Sequence, residues 1–458
     1  MFVVGVMKQQ LQFIIRGSLA WALPCGIGLL MEFHACGADS PVPQERPGST
    51  SAATNALTLE NALRLAFENN PELRGAGGRV AAARGRAYQA KLWSNPELEL
   101  LAEDWPVRGG GGFSDAKQTI GVAQSIPFPG KKRLDRQIGL SGARLAEAEL
   151  NLRQLELARD VKAAFFQALA SERLVEVAGE LVNVAESAAS TARKRVAAGA
   201  AADQEQLRAE ILLEQARLEL AGFQQGLAAA RQNLALLLGK PDLAETPLAG
   251  ALAETADLAQ LDQGPEPGLA VHPSLRAAQT SLDQAELELR RARLEPYPDV
   301  KFSVAGGREG GTESSSIIQF GISLPLPIID RAKGRQQEAR ANVSIAEAGR
   351  MAAEQRLSRD WAVAGQRLRT AAEQAANYRE RILPKAGEAL RLVQRGFEQG
   401  KFNFIDLLDV QRTAAEARLA YQQKLLELNV AQAELEALLG RPPELGASIY
   451  QRKEIKNP

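Results

Sequence analysis

The most constraining feature of the sequence is a long stretch, residues 131 to 198, that contains no proline. Apolar residues recur within it at steps of three and four, at Leu145, Ala148, Leu152 and Leu155. This spacing is typical of a helix that packs against another helix along its length. At 1.5 Å per residue, the helix would be about 100 Å long. Because no compact domain has that diameter, the sequence predicts an elongated, mainly α-helical molecule.

The sequence also repeats itself, and the repeat defines two similar halves. Residues 70–74 (NPELR) recur as 272–276 (HPSLR), and residues 125–129 (SIPFP) recur as 323–327 (SLPLP). From Gly199 to Pro241 the offset to the second half stays constant at 201 (400 − 199 and 442 − 241). Each half therefore reads as a helix, two short extended runs, a very long helix, a break and a final helix.

The repeat and the composition of the connecting segments set the predicted domain boundaries. A proline- and glycine-rich linker separates the halves, and a proline-, serine- and threonine-rich leader precedes the first. The predicted segments are an export signal at 1–38, a flexible leader at 39–56, a first repeat at 57–240, a linker at 241–268, a second repeat at 269–442 and a C-terminal tail at 443–458.

The N-terminus reads as an export signal, with basic residues before an apolar stretch and small residues after it. Cleavage after Ala38 is one interpretation of the small residues. Alternatively, Cys36 becomes a lipidated first residue, or the segment is retained as an anchor. The three readings stay open.

The extended runs lie between proline marks, at about 298–306 and 316–327 in the second half. Ile318, Phe320 and Ile322 alternate with polar or small residues. This period of two is typical of an outer-membrane strand, but an ordinary soluble hairpin with one buried face would show it as well. Four strands per chain cannot close a barrel, and lipid forbids open edges. A membrane location would therefore require several copies of the chain.

Composition excludes several function classes. The chain has 55 Lys+Arg and 55 Asp+Glu, so its zero net charge argues against a nucleic-acid partner. It has two histidines: His34 lies in the predicted signal, and His272 precedes a proline as a helix-start residue. No Cys/His cluster has metal-ligand spacing. The sequence contains no nucleophile elbow, Walker loop or dinucleotide motif, so we expect neither an enzyme nor a cofactor.

Four ordered motifs carry a resemblance to a known family: TLENALRLAFENNPELR from residue 58, QSIPFPGKKR from 124, SLPLPIIDRAKGR from 323 and GKFNFIDLLDVQR from 400. Over residues 57 to 443 the chain resembles the TolC-like outer-membrane efflux proteins. Two shorter motifs, FPGKKR at 128–133 and ILPKA at 382–386, look most like the heavy-metal branch, which exports cobalt, zinc and cadmium or copper and silver.

The resemblance implies a homotrimer with a mainly α fold and a small β part. Three chains would share a trimeric α-barrel of long coiled-coil helices in the periplasm and a twelve-strand β-barrel, four strands per chain, among the lipids of the outer membrane. The implied partners are a periplasmic adaptor (membrane fusion) protein and an inner-membrane pump of the resistance-nodulation-division type. The implied function is passive conduction of heavy-metal cations to the exterior. The alternatives are a drug or polypeptide export channel of the same fold, or a periplasmic coiled-coil adaptor.

Asp406 and Asp409 are the main candidate site residues. They lie three residues apart, on one helix face, just after the second break. In the resembled family an Asp-x-x-Asp at this point lines the periplasmic aperture, so three copies would form a ring of carboxylates that attracts cations. The alternative is a solvated acidic face on an exposed helix.

The breaks themselves carry the remaining candidates. Phe402 and Phe404 would form an apolar constriction or pack between helical hairpins. The resemblance implies that an adaptor docks at the hairpin tips, at Gly199, Ala200, Gly400 and Lys401. The simpler interpretation of these four residues is a hairpin turn, and both can hold together.

Overall fold

The computed structural model describes residues 56–104, 116–258, 261, 271–310, 315–399 and 401–440. The predicted signal, almost all of the leader, Cys36, Gly400 and the C-terminal tail lie outside the described residues. The described part is mainly α-helical with a small β part, as the sequence predicts. In these segments no helix is long and apolar enough to cross a membrane.

The first repeat contains four helices. They are α1 (Leu59–Asn69), α2 (Pro71–Lys91), α3 (Lys131–Ala197) and α4 (Asp203–Leu237). The proline-free stretch forms α3 as one continuous helix of 67 residues, which confirms the prediction of a very long helix. It packs against every other helix of its repeat and against two helices of the second. α3 is therefore the axis on which the described part is built.

From α2 onward, the described part of the second repeat has the same order of elements, with one interruption. Its helices are α5 (Pro273–Arg293), α6 (Lys333–Asn377), α7 (Leu383–Glu398) and α8 (Phe404–Leu438). A π-helical turn, Tyr378–Ile382, separates α6 from α7. Pro384 follows directly, and proline lacks an N–H and clashes with the carbonyl four residues earlier. The wider π turn accommodates both effects.

Four antiparallel strands form one sheet: β2 (Glu97–Glu103), β3 (Lys117–Ile126), β5 (Val300–Glu309) and β6 (Ser315–Ser323). Their order in the sheet is β2-β3-β5-β6. β6 ends before the predicted run does, because Pro325 and Pro327 cannot donate to a strand partner. The two-residue strands β1 (Leu57–Thr58) and β4 (Leu248–Ala249) pair separately, in parallel.

The two faces of the four-stranded sheet differ in chemistry. One face exposes a continuous band of apolar side chains: Leu98, Leu100, Ile120, Val122, Phe302, Val304, Ile318, Phe320 and Ile322. The other face carries small and polar residues, among them Lys301, whose ammonium lies 2.8 Å from both Glu97 and Glu99 carboxylates. A side chain at Gly121 on this face would come within 2.6 Å of the Ala305 Cβ. The polar face is therefore crowded at this point, and glycine permits the close approach of the strands.

In each repeat, one buried residue links the start of an early helix to the end of the last helix. Asn70 accepts from the Glu72 N–H at 2.9 Å and donates to the Leu237 carbonyl at 3.2 Å. In the second repeat His272 accepts from the Ser274 N–H at 3.2 Å and donates to the Ala437 carbonyl. His272 is the N-cap of α5, which confirms its interpretation as a helix-start residue. The cap itself thus joins α2 to the end of α4 in the first repeat and α5 to the end of α8 in the second.

Candidate functional site at the hairpin tips

The α3–α4 tip is a tight turn built on glycine. Gly199 has φ +70°, and the Ala200 N–H donates back to the Arg195 carbonyl at 2.8 Å, as in a common helix-ending motif. Gly199, Ala200 and Lys401 are exposed. The predicted docking residues that the structure describes therefore form the surface of the two tips, while Gly400 lies outside the described residues.

Asp406 has a role in folding that the sequence analysis missed. Its carboxylate accepts a hydrogen bond from the Asn403 N–H at 3.0 Å, and the Asn403 side chain accepts from the Asp406 N–H. This reciprocal pair is a capping box, which satisfies two free donors at the start of α8. An Asn followed three residues later by an acidic residue is the sequence signal that would have revealed it. Asp406 is exposed as well, so it can act on both the helix and the solvent.

Asp409 lies one turn further along α8 and is exposed on the same face. Arg412, the next residue of that face, pairs with Glu416 at 2.7 Å. The hydrogen bond from Glu416 raises the pKa of Arg412, and the charge of Asp409 adds to the effect. The acidic face is therefore bordered by a cation, and its local charge is smaller than the two aspartates alone suggest.

The two phenylalanines of the tip lie in different surroundings. Phe404 is 4% exposed and packs among alanines of α3 and α4 and Leu408 of its own helix. Phe402 is 45% exposed and lies against Gly396. Phe404 therefore has the position that the packing alternative predicts, and Phe402 stays a predicted constriction residue.

Arg195 joins the two hairpins at the tip, and no sequence signal pointed to it. Its guanidinium lies 5.9 Å from the Phe397 ring centroid and 6.0 Å from that of Phe404. It is also 3.0 Å from the Glu205 carboxylate of its own hairpin. A cation over aromatic faces is attracted by their electron density. Arg195 therefore holds the end of the α7–α8 hairpin against the α3–α4 hairpin.

A second polar cluster lies where the sheet meets the helices. Phe128 stacks on Tyr297 with ring centroids 4.7 Å apart. The Asp299 carboxylate accepts from the Phe128 N–H and from buried Lys131, both at 2.8 Å. Burial raises the pKa of Asp299, but the hydrogen bonds from Lys131 and Phe128 outweigh it and leave the pKa below its ordinary value. The FPGKKR motif therefore forms a joint between β3 and α3.

Among the described residues, no group of three or more His, Cys, Asp and Glu side chains is placed to hold a metal ion. The tip has two aspartates, and one of them is engaged in the helix cap. Within one chain, the tip therefore offers an exposed acidic face beside the apolar packing of Phe397 and Phe404.

The outer membrane efflux protein family matches the chain twice, at residues 62–240 and 266–441. The two matched segments cover most of the sequence. The chain belongs to the outer membrane efflux protein family. As an outer membrane efflux protein, it acts as a transport channel of the outer membrane and extends into the periplasm. The family supplies the outer-membrane component of tripartite systems that also contain an adaptor and a pump.

Curated relatives of this efflux protein include resistance proteins for metals and for fusaric acid. It is 31% identical over 399 residues to the cobalt-zinc-cadmium resistance protein CzcC of Cupriavidus metallidurans, covering 85% of this chain and 91% of CzcC. The nickel and cobalt resistance protein CnrC of the same species is 26% identical, with 66% of this chain and 71% of CnrC covered. The fusaric acid resistance protein FusA of Burkholderia cepacia is 25% identical, with 64% of this chain and 59% of FusA covered.

The fold of the efflux protein is also that of solved channels. A crystal structure of CusC, a protein that forms a transmembrane channel, matches this chain with a TM-score of 0.72 at 17% identity. The match covers 83% of this chain and 92% of CusC. At this identity the likeness establishes the fold.

Proposed function

We propose that this protein is the homotrimeric exit channel of a tripartite heavy-metal efflux system. It conducts cations passively from an inner-membrane pump of the resistance-nodulation-division type, through a periplasmic adaptor, to the exterior. The observation that supports heavy-metal cations as the cargo is the similarity to CzcC, because it spans 91% of that protein, whereas the similarity to FusA spans 59%. Family membership favours the channel over the adaptor alternative.

Two open edges in the sheet support the homotrimer. β2 and β6 are the outer strands, and each has one neighbour among the described strands. In the membrane, each unpaired N–H or C=O group costs roughly several kcal/mol, so a sheet in lipid must close on itself. Three copies of four strands give a closed barrel of twelve, an even number as such barrels require. The exposed apolar face of the sheet then faces lipid.

The exposed pair Asp406 and Asp409 supports a cation-attracting aperture. Three copies place six carboxylates around one axis, where like charges repel one another and attract cations. Arg412 borders the pair and moderates the attraction. Such a ring favours passage of cations without holding one tightly, which suits a conduit.

The contacts of the predicted linker support its role as an equatorial segment that runs around the helices. Asn429 of α8 accepts from the Ala253 N–H and donates to the Ala253 carbonyl, both at 3.0 Å. Leu252 packs against both large apolar cores, one in each repeat. The linker thereby ties the repeats together, which supports the proposed boundaries of the segments 57–240, 241–268 and 269–442. The adaptor docks at the tips, at Gly199, Ala200, Gly400 and Lys401.

Deletion of the gene tests the cargo. The mutant strain is expected to lose tolerance to zinc, cobalt and cadmium, and to recover it when the full chain is supplied again. Fusaric acid and a panel of other drugs serve as the comparison, because FusA is a relative. Normal metal tolerance together with drug sensitivity would overturn the metal assignment and favour the drug-channel alternative.

A further inference from the structure

All four strands of the sheet join their helices at one end. α2 leads into β2 and α5 into β5, while β3 leads into α3 and β6 into α6. The strand termini at this end are Glu97, Ile126, Val300 and Ser323. Because the protein lies in the outer membrane and extends into the periplasm, the end from which the helices leave is the periplasmic end of the sheet.

Two helices that begin at this end carry bases where a helix does not favour them. α3 starts with Lys131, Lys132 and Arg133, and α6 has Lys333 and Arg335 in its first turn. The start of a helix is the positive end of its dipole, so cations are unfavourable there. By contrast, α1, α2, α4 and α8 have an acidic residue in the first turn. Helix stability therefore does not explain the bases that follow β3 and β6.

The acidic residues at these junctions already have partners among other bases. Asp135 and Glu295 pair with Arg291, Asp299 pairs with Lys131, and Asp330 pairs with Arg335. Seven further bases are exposed and form no salt bridge within the part of the chain that the structure describes: Arg86, Lys91, Arg133, Arg136, Arg293, Arg331 and Lys333. We call these seven residues the cationic belt.

The cationic belt is as narrow as a layer of lipid headgroups. Arg86 lies five residues before the end of α2, and Arg136 lies five residues after the start of α3 (91 − 86 and 136 − 131). At 1.5 Å per residue, each lies about 8 Å from its helix end, and the other five are closer to theirs. The headgroup region on each side of a bilayer is about 5–8 Å thick. The belt and the headgroups therefore match in depth.

Aromatic and apolar side chains occupy the connections between the belt and the sheet. Trp93 follows α2, Tyr297 precedes β5, and both are exposed. After β6, Leu326 and Ile328 are exposed, and Ile329 is 98% exposed. Tryptophan and tyrosine concentrate where the hydrocarbon of a membrane meets the headgroups. From the apolar face of the sheet to the belt, the chain therefore follows the layers of a bilayer in order.

We infer that the cationic belt binds the phosphate groups of anionic phospholipids in the periplasmic leaflet of the outer membrane. Charge complementarity identifies the phosphate, since guanidinium and ammonium groups form charge-assisted hydrogen bonds to it. Continuity with the apolar face of the sheet identifies a lipid as its carrier. The inference rests on the part of the proposed function that places this face in lipid. It is independent of the cargo and of the number of chains.

Lipid binding by the full-length protein, purified from outer membranes in detergent, tests the belt. Cardiolipin and phosphatidylglycerol are anionic, whereas phosphatidylethanolamine carries the same phosphate but is zwitterionic. Native mass spectrometry is expected to find the two anionic lipids bound several-fold more tightly than phosphatidylethanolamine. This preference is expected to decline as ammonium acetate is raised, because salt screens exposed charges. Equal binding of the three lipids would overturn the inference.

Arg133→Gln combined with Lys333→Gln tests the two helix starts and is expected to lower cardiolipin binding several-fold. Both charges oppose the helix dipole, so in detergent alone this double variant is expected to melt no lower than the wild type. Lys194→Gln with Arg208→Gln is the matched control, because it removes two exposed bases near the far end of α3 and the start of α4. It is expected to bind cardiolipin like the wild type. Equal losses in the two double variants, or no loss in either, would contradict the belt.

Channel recordings in bilayers of neutral lipid separate bases that face lipid from bases that face the conduit. The Arg133→Gln, Lys333→Gln variant is expected to keep the reversal potential of the wild type. A shift toward cations, with cardiolipin binding unchanged, would overturn the inference and place these bases in the channel. A drug cargo or a chain number other than three would overturn the proposed function and leave the belt standing.

Discussion

His272 and Asn70 perform the same structural task with different chemistry. Each caps the first long helix of its repeat and donates to a carbonyl near the end of the last one. Asparagine keeps both roles at every pH. Histidine keeps them only while neutral, because a protonated ring nitrogen cannot accept from the Ser274 N–H. The second repeat therefore contains a pH-sensitive joint where the first does not.

We expect His272 to make the folded protein less stable in mild acid. Burial lowers the pKa of His272 below its ordinary value of 6.5, although its hydrogen bond to Ala437 opposes the shift. Above that value the ring is neutral in both states. As pH falls below it, the unfolded chain takes up the proton first, and the free energy of unfolding decreases until the folded pKa is passed.

Melting curves at about pH 7.5 and about pH 5.5 measure this effect. His272→Asn places the residue of the first repeat at this position, and its melting temperature is expected to differ less between the two pH values than that of the wild type. Asn70→His is the converse variant, and its melting temperature is expected to differ more. An identical pH dependence in all three proteins would show that His272 does not titrate through unfolding.

Asp406 and Asp409 are expected to set cation preference, and the capping box decides how to test them. Asp406→Ala would remove an N-terminal helix contact worth about 1 kcal/mol, so its effect would mix folding with charge. Asparagine keeps an acceptor oxygen at the same place. Asp406→Asn with Asp409→Asn is therefore expected to shift the reversal potential of single channels toward anions while leaving the melting temperature near that of the wild type.

Asp203→Asn is the matched control for the double variant, because Asp203 is exposed in the first turn of α4 on the other hairpin. It is expected to change the reversal potential much less. An unchanged reversal potential and conductance in the double variant would indicate that the two aspartates are only a solvated face.

At the scale of elements, much of the fold follows from local sequence. The lack of proline predicts α3, His272 before a proline predicts a helix start, and alternation predicts the strands, because each of these signals acts through neighbouring residues. The π turn before Pro384 was not foreseen, since a proline in a helix allows either a kink or a wider turn. The position of Arg195 was not foreseen either, because it depends on two hairpins meeting in space.

Arg195→Ala is expected to loosen the α7–α8 tip. A cation over aromatic rings contributes about 0.5–1 kcal/mol at partly exposed sites, so amide hydrogen exchange at the start of α8 is expected to rise roughly two- to fivefold. Arg193→Ala is the matched control, because Arg193 is two residues away and pairs with Glu210 inside its own hairpin at 3.1 Å. Equal exchange in the two variants would contradict a role for Arg195 in joining the hairpins.

Gly121→Ala is expected to disturb the sheet. The added Cβ would come within 2.6 Å of the Ala305 Cβ, and overpacking of this kind costs about 1–3 kcal/mol. Gly306→Ala is the control in the same sheet, since its nearest neighbour is the Ile317 carbonyl at 3.9 Å. The yield of assembled protein in outer membranes is expected to fall for Gly121→Ala alone. Equal yields would show that the strands can move apart at no cost.

At the scale of the whole molecule, the composition has a structural reason. Alanine occupies many of the buried positions of the long helices, and small side chains let helices approach closely without aromatic bulk. Interspersed Glu and Arg pair along the helix surfaces. The chain carries a net charge of zero because its 55 Lys+Arg equal its 55 Asp+Glu. In the proposed channel, the charge that bears on transport is local, at the tip of α8, and assembly around an axis would multiply it.

The sequence predicts that several copies are needed, but not how they meet. Open edges follow from four strands, which the alternation reveals, whereas register depends on pairing between distant strands.

The mass of the intact protein extracted from the outer membrane tests the proposed homotrimer most directly. Native mass spectrometry is expected to find three copies of one chain, because three sets of four strands close the sheet. A single chain that stays folded in the outer membrane, or an assembly of any other number, would contradict the homotrimeric channel.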